Sequence, residues 1–310
     1  MSVEFEHYSV MLSECIDGLN IKPDGLYVDC TAGGGGHSLE IAKRLSQNGR
    51  LISIDRDSDA IEAVTQRLAP CSDRVEIVKS NFSNLKEILG SRMADGVLID
   101  LGISSHQIDT AERGFSYIQD APLDMRMNRD DPVSAYDIVN GYSEDALADI
   151  IFKYGEEKFS RRIASRIVEA RKEKPINTTL ELVSVITDAI PPKSREKGSS
   201  PAKRTFQAIR IEVNGELDII PPTVKDIAEC LKPGGRMAII TFHSLEDRAV
   251  KQTMAELSRG CTCPPDFPVC VCGKKPVLAQ ISRKPILPTQ NELNENKRSH
   301  SAKLRIAEKL

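Results

Sequence analysis

Three aspartates of this 310-residue chain stand where short apolar segments end. Asp29 ends "LYVD", Asp55 ends "LISID", and Asp100 ends "DGVLID". A carboxylate at the first position could hold an ammonium group, and one at the second could accept both hydroxyls of a ribose. Each also has a simpler interpretation, since Asp29 could cap a turn and Asp55 could start a helix. Four consecutive glycines, 33–36, favour the ligand site, because glycine lets a ligand approach the main chain closely.

The segments around these residues alternate between two patterns. Short apolar runs at 26–31, 51–57, 75–81 and 95–102 are typical of buried strands. "HSLEIAKRLSQNG" and "SDAIEAVTQRLAP" lie between them, with apolar residues at helical spacing. This order predicts a doubly wound parallel sheet, in which ligands bind beyond the carboxyl ends of the strands.

The strand pattern stops after residue 102 for more than a hundred residues. Residues 143–175 and 178–192 predict helices, the second ended by two prolines, and "TFQAIRIEVNGELDII" predicts another. Strands return at 231–244, and 303–310 could form a late one. We therefore expect one α/β domain of residues 1–107 and 211–310. An all-helical domain, 108–210, would be inserted after the fourth strand.

Composition narrows the class of protein. Hydrophobic residues make up 40% of the chain, yet no apolar run is long enough to span a membrane. The first residues lack the pattern of a signal peptide, so we expect a cytoplasmic chain with no membrane partner. Residues 1–150 carry 13 Lys and Arg against 26 Asp and Glu, whereas residues 151–310 carry 29 against 19. The basic half could bind a polyanion or simply present solvated helix faces.

The glycine turn alone leaves two cofactor classes open. A dinucleotide would place its pyrophosphate at the start of the helix, and S-adenosylmethionine would place its methionine portion near the loop. An acidic residue before the turn and "LKPGG" before a late strand together resemble the class I methyltransferase pattern.

Longer motifs extend this resemblance over essentially the whole chain. They are "HYSVMLSECIDGL", "DCTAGGGGHS", "SIDRD", "DLGISSHQIDTAERGFSYIQDAPLDMRM", "RTFQAIRIEVNGEL" and "TFHSLEDR". This set is similar to the bacterial ribosomal RNA small subunit methyltransferase H family. The resemblance implies a Rossmann-like methyltransferase sheet with an inserted helical domain. It also implies S-adenosylmethionine as cofactor and methylation of cytidine N4 in the decoding region of 16S rRNA, presented as rRNA or as the small ribosomal subunit.

The resemblance also implies which residues bind the cofactor. They are Gly35, Gly36, His37, Asp55, Phe82, Asp100 and Gln107. Phe82 could stack on the adenine, although an ordinary core aromatic is an alternative. His37 taken alone reads as a helix-cap residue. Thr31 departs from the commoner methyltransferase turn, which often has glycine there.

For the chemistry, Asp100 is the candidate that aligns the acceptor amine and takes its proton, because no Pro-Pro-aromatic motif follows the fourth strand. A contact with the cofactor alone is the other interpretation. Ser104 and Ser105 follow it in the loop. His243 and Asp247 come directly after the fifth strand, which favours a site role over a buried core histidine.

A late cluster of cysteines is separate from these motifs. "CTCPPDFPVCVC" contains Cys261, Cys263, Cys270 and Cys272 as two close pairs. Four thiolates could hold a structural zinc, although C-x-C is tighter than the usual C-x-x-C. The alternative is a reduced, flexible loop.

Two other functions remain open at this point. A dinucleotide-dependent oxidoreductase would use the same glycine turn but would not transfer a methyl group. A non-catalytic RNA-binding protein of ribosome assembly would bind RNA and leave the methyl donor unused.

Overall fold

The computed structural model describes residues 9–195, 198, 200–264, 269 and 271–310. The chain divides into two compact units. The sheet unit comprises Met1–Gly102 and Leu217–Leu310, and the helical unit comprises Ile103–Glu216.

Parallel strands dominate the sheet unit. The described residues form β1 (Leu26–Asp29), β2 (Arg50–Asp55), β3 (Val75–Lys79), β4 (Ala94–Asp100), β5 (Leu231–Thr241), β6 (Leu278–Gln280) and β7 (Lys303–Lys309). Their order in the sheet is β3-β2-β1-β4-β5-β7-β6. Strands β1 to β5 pair in parallel, and β7 runs antiparallel between β5 and β6. The predicted parallel sheet and its late strand are confirmed.

Helices connect these strands and form the other unit. In chain order they are α1 (Leu12–Leu19), α2 (Gly36–Arg44), α3 (Ser58–Leu68), α4 (Leu85–Leu89), α5 (Ser105–Asp109), α6 (Ala135–Gly141), α7 (Glu144–Gly155), α8 (Ser160–Glu173), α9 (Thr179–Ala189), α10 (Lys203–Asn214), α11 (Ile220–Cys230), α12 (Ser244–Ser258) and α13 (Gln290–Glu295). No helix among the described residues combines the length and the apolar character needed to cross a membrane.

Both faces of the sheet are covered. Because side chains alternate along a strand, Val97 and Ile99 of β4 belong to a core shared with α4, α11 and α12. Leu98, between them, belongs to a second core shared with α1 and α2. Burial on two faces explains why the strands read as continuous apolar runs rather than as alternating ones.

One helix in the sheet unit was not expected from the sequence. α11 begins at Ile220, and Pro221 and Pro222 lie in its first turn. Proline is tolerated there because the first amide groups of a helix have no partner within the helix. The two prolines therefore begin this helix rather than exclude one.

Two predicted helices differ from the structure: the helix predicted over 205–220 ends at Asn214, where Gly215 adopts the left-handed conformation, and the helix predicted over 143–175 is divided. The predicted helix 143–175 is broken into α7 and α8. Glu156 adopts the left-handed conformation with φ of 48° and ends α7, and the Glu157 carboxylate then accepts the amide of Phe159 at 2.9 Å. Ile163 and Ile167 are fully buried, as their four-residue spacing predicts, but Phe159 stands just before α8.

Candidate active site

The glycine run forms a tight turn between β1 and α2. Gly33 and Gly35 have φ angles of +49° and +77°, which L-residues with a side chain rarely adopt. Gly36 begins α2, and a Cβ atom there would collide with the Ser9 hydroxyl. Gly33, Gly34 and Gly36 are partly exposed, so main-chain atoms of the turn are accessible at the carboxyl edge of the sheet, where α/β folds bind ligands.

Asp29 holds this turn from inside the protein. Its side chain is fully buried, and its oxygens accept the Thr31 amide at 3.2 Å and the Ser38 hydroxyl at 2.7 Å. Burial raises its pKa to about 6, although the hydrogen bonds from Ser38 and Thr31 act in the opposite direction. These contacts are those of a residue that shapes the turn. They agree with the simpler interpretation of Asp29, that it caps a turn.

Asp55 links the end of β2 to the same turn. Its carboxylate oxygens accept the amides of Gly33 at 2.8 Å and Asp57 at 2.9 Å. Burial is the main reason that its pKa rises to about 6. A carboxylate oxygen has two lone pairs, so Asp55 keeps the capacity to accept further hydrogen bonds from hydroxyl groups.

Asp100 ends β4 beside the turn. Its backbone amide donates to the Thr31 hydroxyl at 2.6 Å, which gives Thr31 a role that glycine at that position could not supply. The Asp100 side chain is 25% exposed, and its Oδ1 has no hydrogen-bond partner among the described residues. Burial first, and then the charges of Asp29, Glu246 and Glu292, raise its pKa well above the ordinary value.

His37 faces Asp100 in its neutral form. Its Nε2 lies 3.1 Å from the Val10 carbonyl, which can only accept, so Nε2 carries the proton. Burial lowers the pKa of His37 to about 4. Its other ring nitrogen, Nδ1, lies 4.0 Å from Asp100 Oδ2. His37 is therefore no balancing cation for Asp100 at neutral pH.

Phe82 follows β3 as the first residue of the short 3-10 turn Phe82–Asn84. Its ring is partly buried against the core that β4 and α11 share. The Asn81 side chain accepts the Ser83 amide at 3.0 Å and sets the direction of this turn. Phe82 thus combines a core contact with a partly accessible surface.

Glu246 was missed by the sequence analysis. It is 1% exposed, and its Oε2 accepts the amides of Phe242 at 2.7 Å and His243 at 3.2 Å. His243 Nδ1 in turn accepts the Glu246 amide at 3.4 Å, which completes a capping box at the start of α12. The three-residue spacing in "HSLE" is the signal that could have identified it.

Asp247 is held by β7. It accepts from Arg305 Nε at 2.7 Å and lies 3.5 Å from Lys303 Nζ. These two cations lower the pKa of Asp247 although its partial burial acts against them. The contacts are those of an ion pair that fastens α12 to the sheet, and the catalytic role of Asp247 stays a prediction.

Ser104, Ser105 and Gln107 belong to the helical unit. The Ser104 hydroxyl accepts the Gln107 amide at 3.2 Å, and Gln107 Oε1 accepts the Ser104 amide at 3.0 Å. Ser105 begins α5 directly after this cap. Gln107 is 5% exposed, so its side chain serves the cap in this conformation.

Three of the late cysteines lie together. The sulfurs of Cys261, Cys263 and Cys272 are all within 4.8 Å of one another. Cys270, the fourth residue of the predicted zinc site, lies outside the described residues. Cys15, Cys30 and Cys230 are buried in the sheet unit, as expected for core cysteines.

The sheet order, the glycine turn after β1 and the acidic residues that end β1 and β2 define a class I methyltransferase. Residues 4–310 match the MraW methylase family, and the chain belongs to that family. The resemblance inferred from the sequence motifs is confirmed. A methylase family also excludes the oxidoreductase alternative.

Close relatives cover the chain from end to end. Ribosomal RNA small subunit methyltransferase H of Brevibacillus brevis is 57% identical over 100% of this chain and 99% of its own length. The protein of the same name from Clostridioides difficile is 56% identical over 99% and 100%. The crystal structure of an rRNA methylase from Streptococcus thermophilus covers 96% of this chain and 92% of its own, at 12% identity and a TM-score of 0.42. That structural similarity is too low to support a conclusion.

Proposed function

We propose that this protein transfers a methyl group from S-adenosylmethionine to the exocyclic N4 of a cytidine in the decoding region of 16S rRNA. Family membership supports methyl transfer, and the names of the relatives support ribosomal small-subunit RNA as the substrate. The observation that carries the proposal is Asp100, a largely buried carboxylate with an oxygen that accepts no hydrogen bond from the described residues.

The charge around Asp100 suits a positively charged donor. Asp29, Glu246 and Glu292 all raise its pKa, and the neighbouring His37 is neutral. Buried carboxylates without a balancing cation are costly, and a cationic ligand relieves that cost. S-adenosylmethionine, when bound, supplies a methyl group on a positively charged sulfur, which leaves as a neutral thioether.

The remaining donor contacts come from the turn and from the two neighbouring strand ends. Gly35, Gly36 and His37 border the methionine portion in this proposal. Asp55 accepts the ribose hydroxyls with its remaining lone pairs, and Phe82 covers the adenine with its accessible face. These five residues lie in the sheet unit, whereas Gln107, which the sequence also predicted to bind the cofactor, lies in the helical unit, and its role in donor binding stays a prediction.

Asp100 acts on the acceptor in this mechanism. Its ionised form would accept a hydrogen bond from the N4 amine and so fix the position of the acceptor nitrogen for methyl transfer. As the new carbon–nitrogen bond forms, the amine loses a proton, which Asp100 accepts and later passes to water.

The loops that follow β4 and β5 carry the other residues predicted for the chemistry. Ser104, Ser105 and Gln107 belong to the loop that follows β4. His243 and Glu246 shape the loop after β5, and Asp247 anchors it.

The inserted domain, which we place at residues 108–210, recognises the RNA in this proposal. A groove in the helical unit is lined by Phe152 of α7, by Lys158, and by Arg161 and Arg162 of α8. Phe152 is 65% exposed, and none of the three cations forms an ion pair with a described residue. Asp149 is the acidic residue of the lining. Cations that form no ion pair with the described residues, beside an exposed aromatic ring, suit phosphates and an unstacked base.

The basic loop 193–204 is a weaker candidate for the RNA contact. Arg195 donates to the carbonyls of Thr187 at 2.7 Å and Ile190 at 3.1 Å, so its guanidinium closes the end of α9. Lys197 lies outside the described residues. The target cytidine must leave any stack to be methylated, so a single-stranded or loop region is the natural substrate.

Mass spectrometry of 16S rRNA nucleosides tests the proposal. RNA from cells that lack this protein is incubated with the purified protein and S-adenosylmethionine. We expect N4-methylcytidine to appear at one position in the decoding region and to be absent without protein. A methyl group on another atom or in another RNA would refute the assignment. RNA binding without any transfer would instead favour the non-catalytic alternative.

A further inference from the structure

We propose that Cys261, Cys263 and Cys272 bind a structural zinc ion in the loop between α12 and β6. Their sulfurs lie within 4.8 Å of one another. The three residues come from the two ends of "CTCPPDFPVCVC", so the arrangement depends on the loop folding back on itself. Sequence spacing alone does not require this convergence.

The distance between two of the sulfurs fits shared coordination. Cys261 Sγ and Cys272 Sγ are 3.7 Å apart. A disulfide bond would require about 2.05 Å. A tetrahedral zinc with Zn–S bonds of about 2.3 Å places neighbouring sulfurs about 3.8 Å apart. The separation of this pair is therefore close to the one that two sulfurs bound to a single zinc ion would have.

Backbone amides prepare the sulfurs for negative charge. Thr262 donates to Cys272 Sγ, Cys263 donates to Cys261 Sγ, and Val271 donates to Cys263 Sγ, each at 3.4 Å. Hydrogen bonds to a thiolate favour the ionised form, which is the form that binds metal. Each of the three sulfurs receives at least one such bond, as the outer contacts of a metal site do.

The described residues of the loop form no hydrophobic core of their own. Its base is closed by a hydrogen bond of 2.8 Å from the Val277 amide to the Leu257 carbonyl. Between these residues, none of the described residues in 259–276 is buried. Ordering such a segment costs conformational entropy that apolar contacts do not offset, and metal binding can. Thiolate-rich sites of this kind select zinc or iron–sulfur clusters.

Metal analysis of the full-length protein tests the site. Protein prepared under reducing conditions and reconstituted with ZnCl₂ should hold about one zinc per chain. Cys261→Ser, Cys263→Ser and Cys272→Ser should each lose it, whereas Cys71→Ser, outside the cluster, should retain it. Replacement with CoCl₂ should give the absorption of tetrahedral cobalt with thiolate ligands. The absence of stoichiometric zinc, stoichiometric iron in its place, or an intramolecular disulfide in reduced preparations would overturn the proposal.

Limited proteolysis tests the structural role without relying on methyl transfer. Arg259 and Lys274 are exposed trypsin sites in the loop. Removing the metal with a chelator should accelerate cleavage there at least tenfold in the parent protein and in Cys71→Ser. Cleavage in Cys261→Ser should be fast with or without the chelator. Equal cleavage rates of parent protein with and without metal would overturn the proposal, and a failed methyl-transfer assay would not bear on it.

Discussion

At Asp100, burial and three neighbouring carboxylates all act against ionisation. The pKa of this side chain is therefore well above its ordinary value when the donor is absent, because its surroundings favour the protonated form. A protonated carboxyl cannot take a proton from the amine. A positive charge bound beside it lowers its pKa and restores the carboxylate, so donor binding prepares the residue for its chemical role.

Binding of S-adenosylmethionine should accordingly release protons. The cation lowers the pKa of Asp100, so at any pH between the bound and free values the complex holds fewer protons than the free protein. Titration calorimetry in two buffers with different ionisation enthalpies should show this release, and donor affinity should rise with pH in the same window. Asp100→Asn should abolish most of it. Equal proton release by the parent and by Asp100→Asn would assign the titration to Asp29 or Asp55, whose pKa values are about 6.

The rate of methyl transfer should also depend on Asp100. Asp100→Asn keeps the shape and an acceptor oxygen but removes the charge and the basicity. Single-turnover transfer at saturating donor should fall more than tenfold, which corresponds to at least about 1.4 kcal/mol of barrier. RNA affinity should hardly change. If the rate stayed within twofold of the parent rate, Asp100 would have no part in the chemistry, and Ser104, Ser105 and His243 would be tested next.

At the scale of elements, two glycines with positive φ can be compared. One lies in the glycine turn and the other follows α10, so an effect of an added side chain on stability can be distinguished from an effect on donor binding. Gly33 and Gly215 both have positive φ, +49° and +58°, and a Cβ at either would meet no atom closer than 3.9 Å. Alanine at either should therefore cost about 1–2 kcal/mol of stability. Gly33→Ala alone should weaken donor binding, because its amide holds Asp55. Thermal unfolding and donor titration of the two variants check this, and equal donor affinity would exclude the turn from the site.

Arg166 of α8 provides a matched control for substitutions of Arg161 and Arg162 in the groove between α7 and α8. Arg161 and Arg162 form no ion pair with a described residue, whereas Arg166 pairs with Glu169 at 2.5 Å. Changing Arg161 and Arg162 to Gln should weaken RNA binding and reduce the slope of log affinity against log salt by about one for each phosphate that the variant no longer binds. Arg166→Gln should leave the slope nearly unchanged. An equal change in slope for all three substitutions would contradict the proposal that this groove binds the RNA phosphates.

Substitution of Phe152 tests whether a base of the RNA stacks on the aromatic ring of the groove. The ring is 65% exposed, so Phe152→Ala removes little core packing. Stacking of a base on an aromatic ring contributes about 1–3 kcal/mol, and this part of the RNA affinity should disappear without any change in salt slope. Fluorescence anisotropy with a labelled decoding-region RNA provides the measurement. A changed slope with unchanged affinity at low salt would show that the ring does not stack.

At the scale of the whole molecule, the donor and RNA functions should separate between the two units. Asp55→Ala should weaken donor binding by roughly 1.5–3 kcal/mol, the usual loss for hydrogen bonds to a charged group, and leave RNA affinity unchanged. The Arg161 and Arg162 substitutions should do the reverse. Both affinities can be measured on each variant, with circular dichroism as a control for folding. Loss of both affinities in either variant would contradict the separation.

The sequence predicted much of this molecule because its signals are local. Apolar runs and helical spacing identified β1 to β5 and β7, and the motif around the glycines located the turn. Local signals also misled. The helical spacing of apolar residues in 143–175 gave no sign of a break at Glu156, whose left-handed conformation divides the predicted helix. α11 was not predicted, although Pro221 and Pro222 are compatible with the first turn of a helix.

The sequence by itself determined most of the elements, the aspartates that end β1, β2 and β4, the glycine turn and the family resemblance. Only the tertiary structure decided what those residues do to one another. It brought Glu246 and Glu292 close enough to raise the pKa of Asp100, selected the proton position of His37 through the Val10 carbonyl, and gave the Thr31 hydroxyl a partner in β4. The physical reason is that burial and charge interactions depend on distances between segments far apart in the chain, which local patterns do not encode.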